Sequence, residues 1–466
     1  MQPIENNPGS NEFNRREFIQ NTASFGALMA FMGGVPLQAE ETNAAAPTNY
    51  STVSPPVNCA VIGCGARGRE ILQTLSRLPN APVVAICDTY EAAFRRVKES
   101  APTAETFTDY RQLLEKKEVQ AVIVATPSHQ HRAIVEAVLA AGKHVYCEAP
   151  LATTVEDARA IAKAAKAAGK LYFQSGLQMR SDPQRQFLVP FIRSGATGIN
   201  VMARTQWHKK QSWRRTAPTP EREQALNWNL NAATSPGLMG ELVIHQLDMV
   251  NWLFNIRPVA VSGWGSTLLW KDGRDVADTV QAVFEFPDGS NYSADASLAN
   301  SFDSAYEILY GSFSAVMLRH DEEGSRAWLF KEVDSPLLGW EVYPPKVQFY
   351  KETGITLMAG ASKTPPKQKE GEAPPPAVTP LQHALAAFIT NSGLVAEGVK
   401  NFTSKFGDDA DELREYLGTI KQTKSWKGAA GWQEGLDATV LALKANEAIV
   451  KGGGNRIALQ KEWFDI

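Results

Sequence analysis

The chain is short of several things that would narrow its class at once. Its 466 residues hold four cysteines, Cys59, Cys64, Cys87 and Cys147, with no Cys-x-x-Cys pair among them. That spacing argues against a metal site or a bridged framework. All four fall in the first sheet-forming region, three inside apolar runs, where cysteine behaves as a small hydrophobe. Free, buried thiols are the expectation. Charge of one sign is lacking too. Lysine and arginine total 47 against 50 acidic residues, a formal net charge of −3. A general nucleic-acid binder is therefore not expected. No later run is apolar over the ~20 residues that cross a bilayer, and no internal repeat is present. Hydrophobic residues at 44% and charged ones at 21% describe an ordinary soluble globular chain, long enough for two domains with proper cores.

The first forty residues stand apart. Arg15-Arg16 in Asn14–Gln20 precedes an apolar run from Phe25 to Val35 that is too short to span a membrane. Paired arginines, a weakly hydrophobic stretch and small residues near Leu37-Gln38-Ala39, in that order, are similar to a twin-arginine export signal. The expectation is a signal peptide over 1–39 and a linker over 40–56. The protein would then be exported folded to the periplasm or beyond, and carry no membrane attachment once the signal is removed.

From Val57 an apolar strand pattern runs into Gly63-Cys64-Gly65-Ala66-Arg67-Gly68, followed by a helix with Ile71, Leu72, Leu75 and Leu78 on one face. Further strands are predicted at Val83–Cys87, Ala121–Ala125, His144–Cys147 and Leu171–Phe173. Helices separate them, one starting on a Thr153/Glu156 capping box. Continuous apolar strands alternating with helices predict a parallel sheet covered on both faces, an α/β Rossmann domain over 57–180. After residue 180 longer strands alternate in pattern, at Val201–Gln206, Val259–Thr267, Thr279–Phe286, Ser290–Leu298 and Ala305–Tyr310. A long helix, capped by Ser235, is predicted from Pro236 to about Phe254. The expected second unit, 181–466, is an α+β domain with a large open, mainly antiparallel sheet. A Pro/Lys-rich excursion interrupts it over 362–380.

A strand that enters a glycine-rich turn and then a helix suits a dinucleotide. Gly63 allows the tight turn, Gly65 lets backbone approach a pyrophosphate, and Gly68 lets helix and strand pack. Ala66 and Arg67 open the helix whose free N–H groups face the phosphates. Asp88, twenty residues on, suits a ribose 2′-hydroxyl and repels a 2′-phosphate, so NAD is expected over NADP. In such sheets ligands sit beyond the strand C-termini. Thr126, Ser128 and His131 after one strand, and Glu148 after the next, are therefore candidate cofactor contacts.

At these residues the chain resembles the Gfo/Idh/MocA oxidoreductases. The resemblance rests on Gly63–Gly68, Thr126-Pro127 with His131, Cys147-Glu148-Ala149-Pro150, Gln178-Met179-Arg180, and Gly240 through Asp248. It implies His245 as acid/base, with Glu241 as its partner one helical turn earlier. It also implies pairing through the open sheet face, giving a homo-oligomer. One departure matters. The family's dehydrogenases mostly carry lysine where this chain has Ala149, and a methyl group cannot donate a hydrogen bond. Lys209 and Lys210 are candidates for a relocated cation, against solvated loop lysines.

Glu241, His245 and Asp248 at i, i+4, i+7 predict one helix face. A metal is not expected, because no further ligand presents itself. Asp248 is read as orienting or substrate-binding, and Arg180 and Lys209 as substrate-binding. Trp207, Trp213 and Trp228 suit either sugar faces or sheet core. Three functions stay open. The first is an NAD-dependent oxidation of a sugar or glycoside by hydride transfer at a ring carbon. The second is a redox-neutral glycoside hydrolysis in which tightly bound NAD is recycled. The third is a cofactor-bearing sugar-binding protein without catalysis.

Overall fold

The computed structural model describes residues 55–321, 324–333, 335, 346–349, 352–357 and 378–466. The export signal, nearly all of the linker and most of the 362–380 excursion lie outside them.

The first sheet has six parallel strands: β1 (Cys59–Ile62), β2 (Val83–Cys87), β3 (Glu105–Phe107), β4 (Ala121–Val124), β5 (His144–Cys147) and β6 (Phe173–Ser175). Their order is β3-β2-β1-β4-β5-β6. Strands β1, β4 and β5 are buried at every position, which is why they read as unbroken apolar runs. Strand β3 was not anticipated; it spans three residues, two of them exposed, so no apolar run announces it. The order reverses between β1 and β4, and a crevice opens there beyond the strand ends. All four cysteines are buried and unpaired.

The second sheet is mixed and open, with ten strands. They are β7 (Asn200–His208), β8 (Ala260–Ser266), β9 (Thr279–Glu285), β10 (Asn291–Ser297), β11 (Ala305–Gly311), β12 (Ser314–Asp321), β13 (Gly324–Lys331), β14 (Lys346–Phe349), β15 (Glu352–Leu357) and β16 (Ile457–Ala458). The order is β14-β15-β13-β12-β11-β7-β10-β9-β8-β16. Among the described residues, only the β7–β10 pairing of this sheet is parallel. The turn between β9 and β10 closes where Pro287-Asp288-Gly289 predicts it, with Gly289 at φ +88° and Phe286 N donating to Ser290 O at 3.0 Å.

Two local expectations shift. The cap of the helix Val155–Ala167 is Thr154, whose side chain accepts from Asp157 N, one residue later than Thr153. The long helix after Ser235 is not uniform. A π-turn occupies Met239–Val243 before α-helix resumes over Ile244–Phe254.

The C-terminal helices do not all stay with the second sheet. Thr379 caps the helix Pro380–Phe406, which returns to the first domain. Its Leu381, Leu385, Phe388 and Ile389 join Ile71, Leu72, Leu75 and Tyr146 in one core. Burying such side chains is worth about 1.5–3 kcal/mol each. The 181–466 unit thus contributes an outer layer to the Rossmann domain. The helix Trp432–Lys451 packs on both domains, among the second-sheet residues Val261, Val280 and Ala282 and against the Rossmann helix Val155–Ala167, with Thr439 Oγ1 accepting from Leu151 N at 3.0 Å.

Candidate functional site

A cleft of about 990 Å³ lies over the β1/β4 switch point, within the range of natural ligand sites. Local sequence builds its floor. Gly63 sits at φ +98°, and a Cβ there would fall 2.5 Å from Ala125 O. At Gly68 a Cβ would fall 1.8 Å from Gly63 O, so only glycine lets the helix Ala66–Leu75 close on the turn. Gly65 differs. A Cβ there would meet nothing within 4 Å, and that open space faces the cleft. Asp88 closes the far end. Its Oδ2 accepts from Cys64 N at 2.8 Å and its Oδ1 from Tyr90 N at 2.9 Å, which leaves each oxygen a second lone pair.

Glu148 follows the last residue of β5 and is buried. Its Oε1 accepts from Arg67 Nε at 3.0 Å, while Arg67 also donates to Gln178 Oε1 at 3.0 Å and to Glu70 Oε2 at 2.8 Å. Burial raises the pKa of Glu148, and the guanidinium acts against that rise. Close passage of Gly176 makes the fit tight: a Cβ there would lie 2.9 Å from Glu148 Oε2.

The opposite wall comes from the second domain. Glu241 accepts from Ser128 Oγ at 3.4 Å, and burial pushes its pKa up to about 8. Burial, with a smaller contribution from the Arg67 charge, pushes His245 down to about 4. At neutral pH the pair is therefore a protonated carboxyl and an unprotonated imidazole. The Nδ1 of His245 and the Oγ1 of Thr126 are both buried without a hydrogen-bond partner. Orphaned polar atoms at a cleft wall are capacity for a ligand to fill. The Thr126 hydroxyl, the space over Gly65 and the lone pairs of Asp88 fit a dinucleotide, and His245 Nδ1 is left to a second ligand beside it.

Residues 213–229 roof this cleft. Trp213, Arg215, Arg222, Trp228 and Asn229 line it. The Arg222 guanidinium lies 4.1 Å over the Tyr90 ring, and Trp228 meets His129 at 6.1 Å between ring centroids. Trp213 has φ 65°, a costly conformation for a bulky side chain. A short helix, Pro220–Leu226, capped by Thr219, carries Arg222 but buries none of its residues. No apolar periodicity marks it, so Arg215, Arg222 and Asn229 were not foreseen, though Thr219-Pro220-Glu221 is a helix-start signal. Only the tryptophans carried a signal, and of the three Trp207 does not line the cleft.

Five anticipated contacts are placed otherwise. His131 is buried, with Nδ1 3.0 Å from Pro150 O and Nε2 3.0 Å from Thr126 O. Burial lowers its pKa, so the neutral ring donates its one N–H to one of these carbonyls; it braces two turns, and it also lines the cleft. Arg180 makes three hydrogen bonds of 2.8–3.0 Å to Asp248. Neither lines the cleft. Lys209 is exposed, its backbone N bonded to Ser297 O just past the end of β7, and it stands outside the cleft; Lys210 is exposed as well. Gly68 packs behind the turn. The remaining anticipated residues, Gly63, Gly65, Ala66, Arg67, Asp88, Thr126, Ser128, Glu148, Glu241 and His245, all line one cavity.

Comparison with known proteins points the same way. A family model described as an oxidoreductase family with NAD-binding Rossmann fold matches residues 57–176. A second, for the GFO/IDH/MocA C-terminal domain, matches 190–312. Inositol 2-dehydrogenase of Acidothermus cellulolyticus is 32% identical over 211 residues, 44% of this chain and 57% of that one. The enzyme of the same name from Pseudomonas fluorescens is 34% identical over 203 residues, 43% of this chain and 55% of that one. The chain thus spans about half the length of the curated relatives it matches. Among solved structures, an oxidoreductase domain protein from Kribbella flavida superposes at TM-score 0.64 with 19% identity, covering 87% of this chain and 100% of that one. Levoglucosan dehydrogenase in complex with NADH and levoglucosan superposes at 0.62 with 17% identity and the same coverage. At such identities the likeness is one of fold.

Proposed function

Because the chain belongs to the Gfo/Idh/MocA family, we propose that it is an NAD-dependent oxidoreductase acting on a hydroxyl of a sugar, cyclitol or glycoside. The observation that carries this reading is the pairing within one cleft of a dinucleotide-type glycine turn with Glu241 and His245. When bound, the nicotinamide supplies a hydride acceptor. The chain's own residues then have to take a proton and steady an oxygen. His245, unprotonated at neutral pH, accepts the hydroxyl proton. Glu241, protonated there, donates a hydrogen bond that orients the substrate. General-base help of this kind is typically worth ~10²–10⁴ in rate. Gly63, Gly65, Asp88 and Thr126 hold the dinucleotide. The roof of Trp213, Arg222 and Trp228 favours its retention through repeated turnovers.

Inositol and levoglucosan, named for relatives and neighbours, set the first substrates to try. The test is absorbance at the reduced-nicotinamide band with NAD and a panel of cyclitols, anhydrosugars and aldoses. Oxidation of at least one polyol, lost in His245→Ala, is the expected result. Absence of turnover and of dinucleotide binding in the folded protein would remove the proposal.

One observation favours a second reading. A carboxyl that keeps its proton near neutral pH, as Glu241 does, suits protonation of a departing glycosidic oxygen. In that case a glycoside panel would be hydrolysed with no added cofactor and no net NADH. The Arg15-Arg16 segment supports export of the folded, cofactor-loaded protein, and the open sheet face supports self-association. Fractionation and light scattering test these two.

A further inference from the structure

Removing a proton from a sugar hydroxyl leaves negative charge on oxygen, and a site that does this quickly places a fixed positive charge beside it. Ala149 presents only a methyl group at the turn after β5. Lys209 and Lys210 stand outside the cleft. Among the described residues, the cations that do line it are Arg67, Arg111, Arg215 and Arg222, besides the imidazoles. Arg222 is stacked over Tyr90 at the Asp88 end, and Arg111 is bonded to its neighbour Asp109, beside the same end. Arg215 stands close enough to Arg69 for the two charges to repel, again at the start of the first helix. Arg67 is different. It reaches from the glycine turn to Glu148, the residue before Ala149, and to Gln178 past β6. Its charge is also felt at His245.

Its donor count is equally telling. A guanidinium has five N–H groups. Arg67 uses one from Nε on Glu148, one from Nη2 on Gln178 and one from Nη1 on Glu70. One N–H on each terminal nitrogen is left over. Three fixed partners hold the plane still, so the remaining donors are pre-oriented at no further entropic cost.

We propose that Arg67 is the cation of the reacting centre, presenting its two uncommitted N–H groups to the substrate oxygen from which His245 takes the proton. The inference rests on the oxidoreductase reading above. In the step it serves, the O–H bond breaks and its proton passes to an imidazole nitrogen of His245. The electron pair left on oxygen forms the second carbon–oxygen bond as hydride leaves that carbon for the bound dinucleotide. Arg67 stays charged throughout, because the Glu148 carboxylate overcomes burial and holds its pKa above the ordinary arginine value. It therefore acts as a donor and a field, never as a proton source.

The test uses full-length Arg67→Gln and Arg67→Lys beside the wild type, with three readouts. Dinucleotide affinity is followed by calorimetry, turnover by kcat and KM, and His245 titration by NMR in cofactor-free protein. Arg67→Gln is expected to bind NAD within about threefold of wild type and to lose about 10²–10³ in kcat, the loss typical of one removed oxyanion donor. Its His245 should titrate at higher pH, towards the ordinary histidine value, while Arg67→Lys, which keeps the charge, holds the wild-type titration. Unchanged kcat in Arg67→Gln overturns the proposal. So does a loss confined to NAD affinity with normal kcat at saturation, which would make Arg67 a cofactor strut. If the wild type oxidises no polyol, the function reading fails first, and the NMR arm still decides: an unmoved His245 overturns the placement of this charge.

Discussion

Asp248 Oδ1 and Oδ2 receive three hydrogen bonds of 2.8–3.0 Å from Arg180, in a pair with side-chain exposures of 2% and 13%. The Trp252 ring lies 5.0 Å from the same guanidinium. This fork joins the segment leaving the Rossmann domain to the helix that carries His245. Breaking a buried pair by removing one partner costs about 3–5 kcal/mol, because the other charge is left uncompensated. Asp248→Ala should therefore lower stability by that amount in denaturant titration. An Arg180→Met/Asp248→Leu double variant should recover most of it. If the single variant instead unfolds normally and only raises KM, the pair belongs to substrate after all.

Glu241 and His245 predict a pH dependence of stability with a definite sign. Glu241 has its folded pKa raised to about 8 from an ordinary 4.5. The folded state holds more protons than the unfolded one between these values, so stability falls as pH rises through that window. His245 is lowered to about 4 from 6.5. There the unfolded state binds more protons, so stability falls as pH drops from 6.5 towards 4. Glu241→Gln should flatten the alkaline side and His245→Ala the acid side, each on the order of a few kcal/mol across its window. For turnover, kcat/KM should hold well below pH 6.5 and decline above about pH 8. The alkaline decline should vanish in Glu241→Gln.

His245→Ala should cut turnover by about 10²–10⁴ while leaving dinucleotide affinity unchanged. The ring lies on the second domain's helix, whereas the groups that fit phosphates and ribose lie on the glycine turn and after β2. Calorimetry with NAD on the variant separates the two effects. Loss of binding along with turnover would mean that the imidazole holds cofactor.

How much of this arrangement was legible follows from sequence separation. Gly63–Gly68, Asp88, Thr126 and Glu148 each announce themselves within a strand-then-turn pattern, because backbone sterics and strand burial act locally. Arg67 sat inside the motif, yet its partner Glu148 is 81 residues away, and no periodicity encodes that meeting. The same holds for Arg180 with Asp248, separated by 68 residues. The roof over the cleft includes a short helix, Pro220–Leu226, none of whose residues is buried, so no apolar repeat announces it. Phe388 reads as one position on an amphipathic helix; only packing shows that it stacks on Tyr172 of the first domain, at 6.1 Å. The i, i+4, i+7 count holds for Glu241 and His245, which line the cleft, and fails for Asp248, which Arg180 holds outside it.

The three glycines of the turn should separate folding from binding. A methyl at position 68 would sit 1.8 Å from Gly63 O, which is backbone and cannot step aside. Gly68→Ala should thus destabilise the first domain by at least the 1–3 kcal/mol typical of overpacking, seen as a lowered melting temperature with or without ligand. Gly65 has nothing within 4 Å of its missing Cβ and no positive φ among the backbone exceptions. Gly65→Val should fold with an unchanged melting temperature. Its side chain would project into the space where backbone meets the pyrophosphate, so NAD affinity should fall at least tenfold. Gly63→Ala should resemble Gly68→Ala, since its φ of +98° and the 2.5 Å approach to Ala125 O both oppose a side chain. Stability intact at 65 and lost at 63 and 68, with affinity lost at all three, is the pattern that a dinucleotide turn requires. A Gly65→Val protein that binds NAD as tightly as wild type would place the phosphates elsewhere.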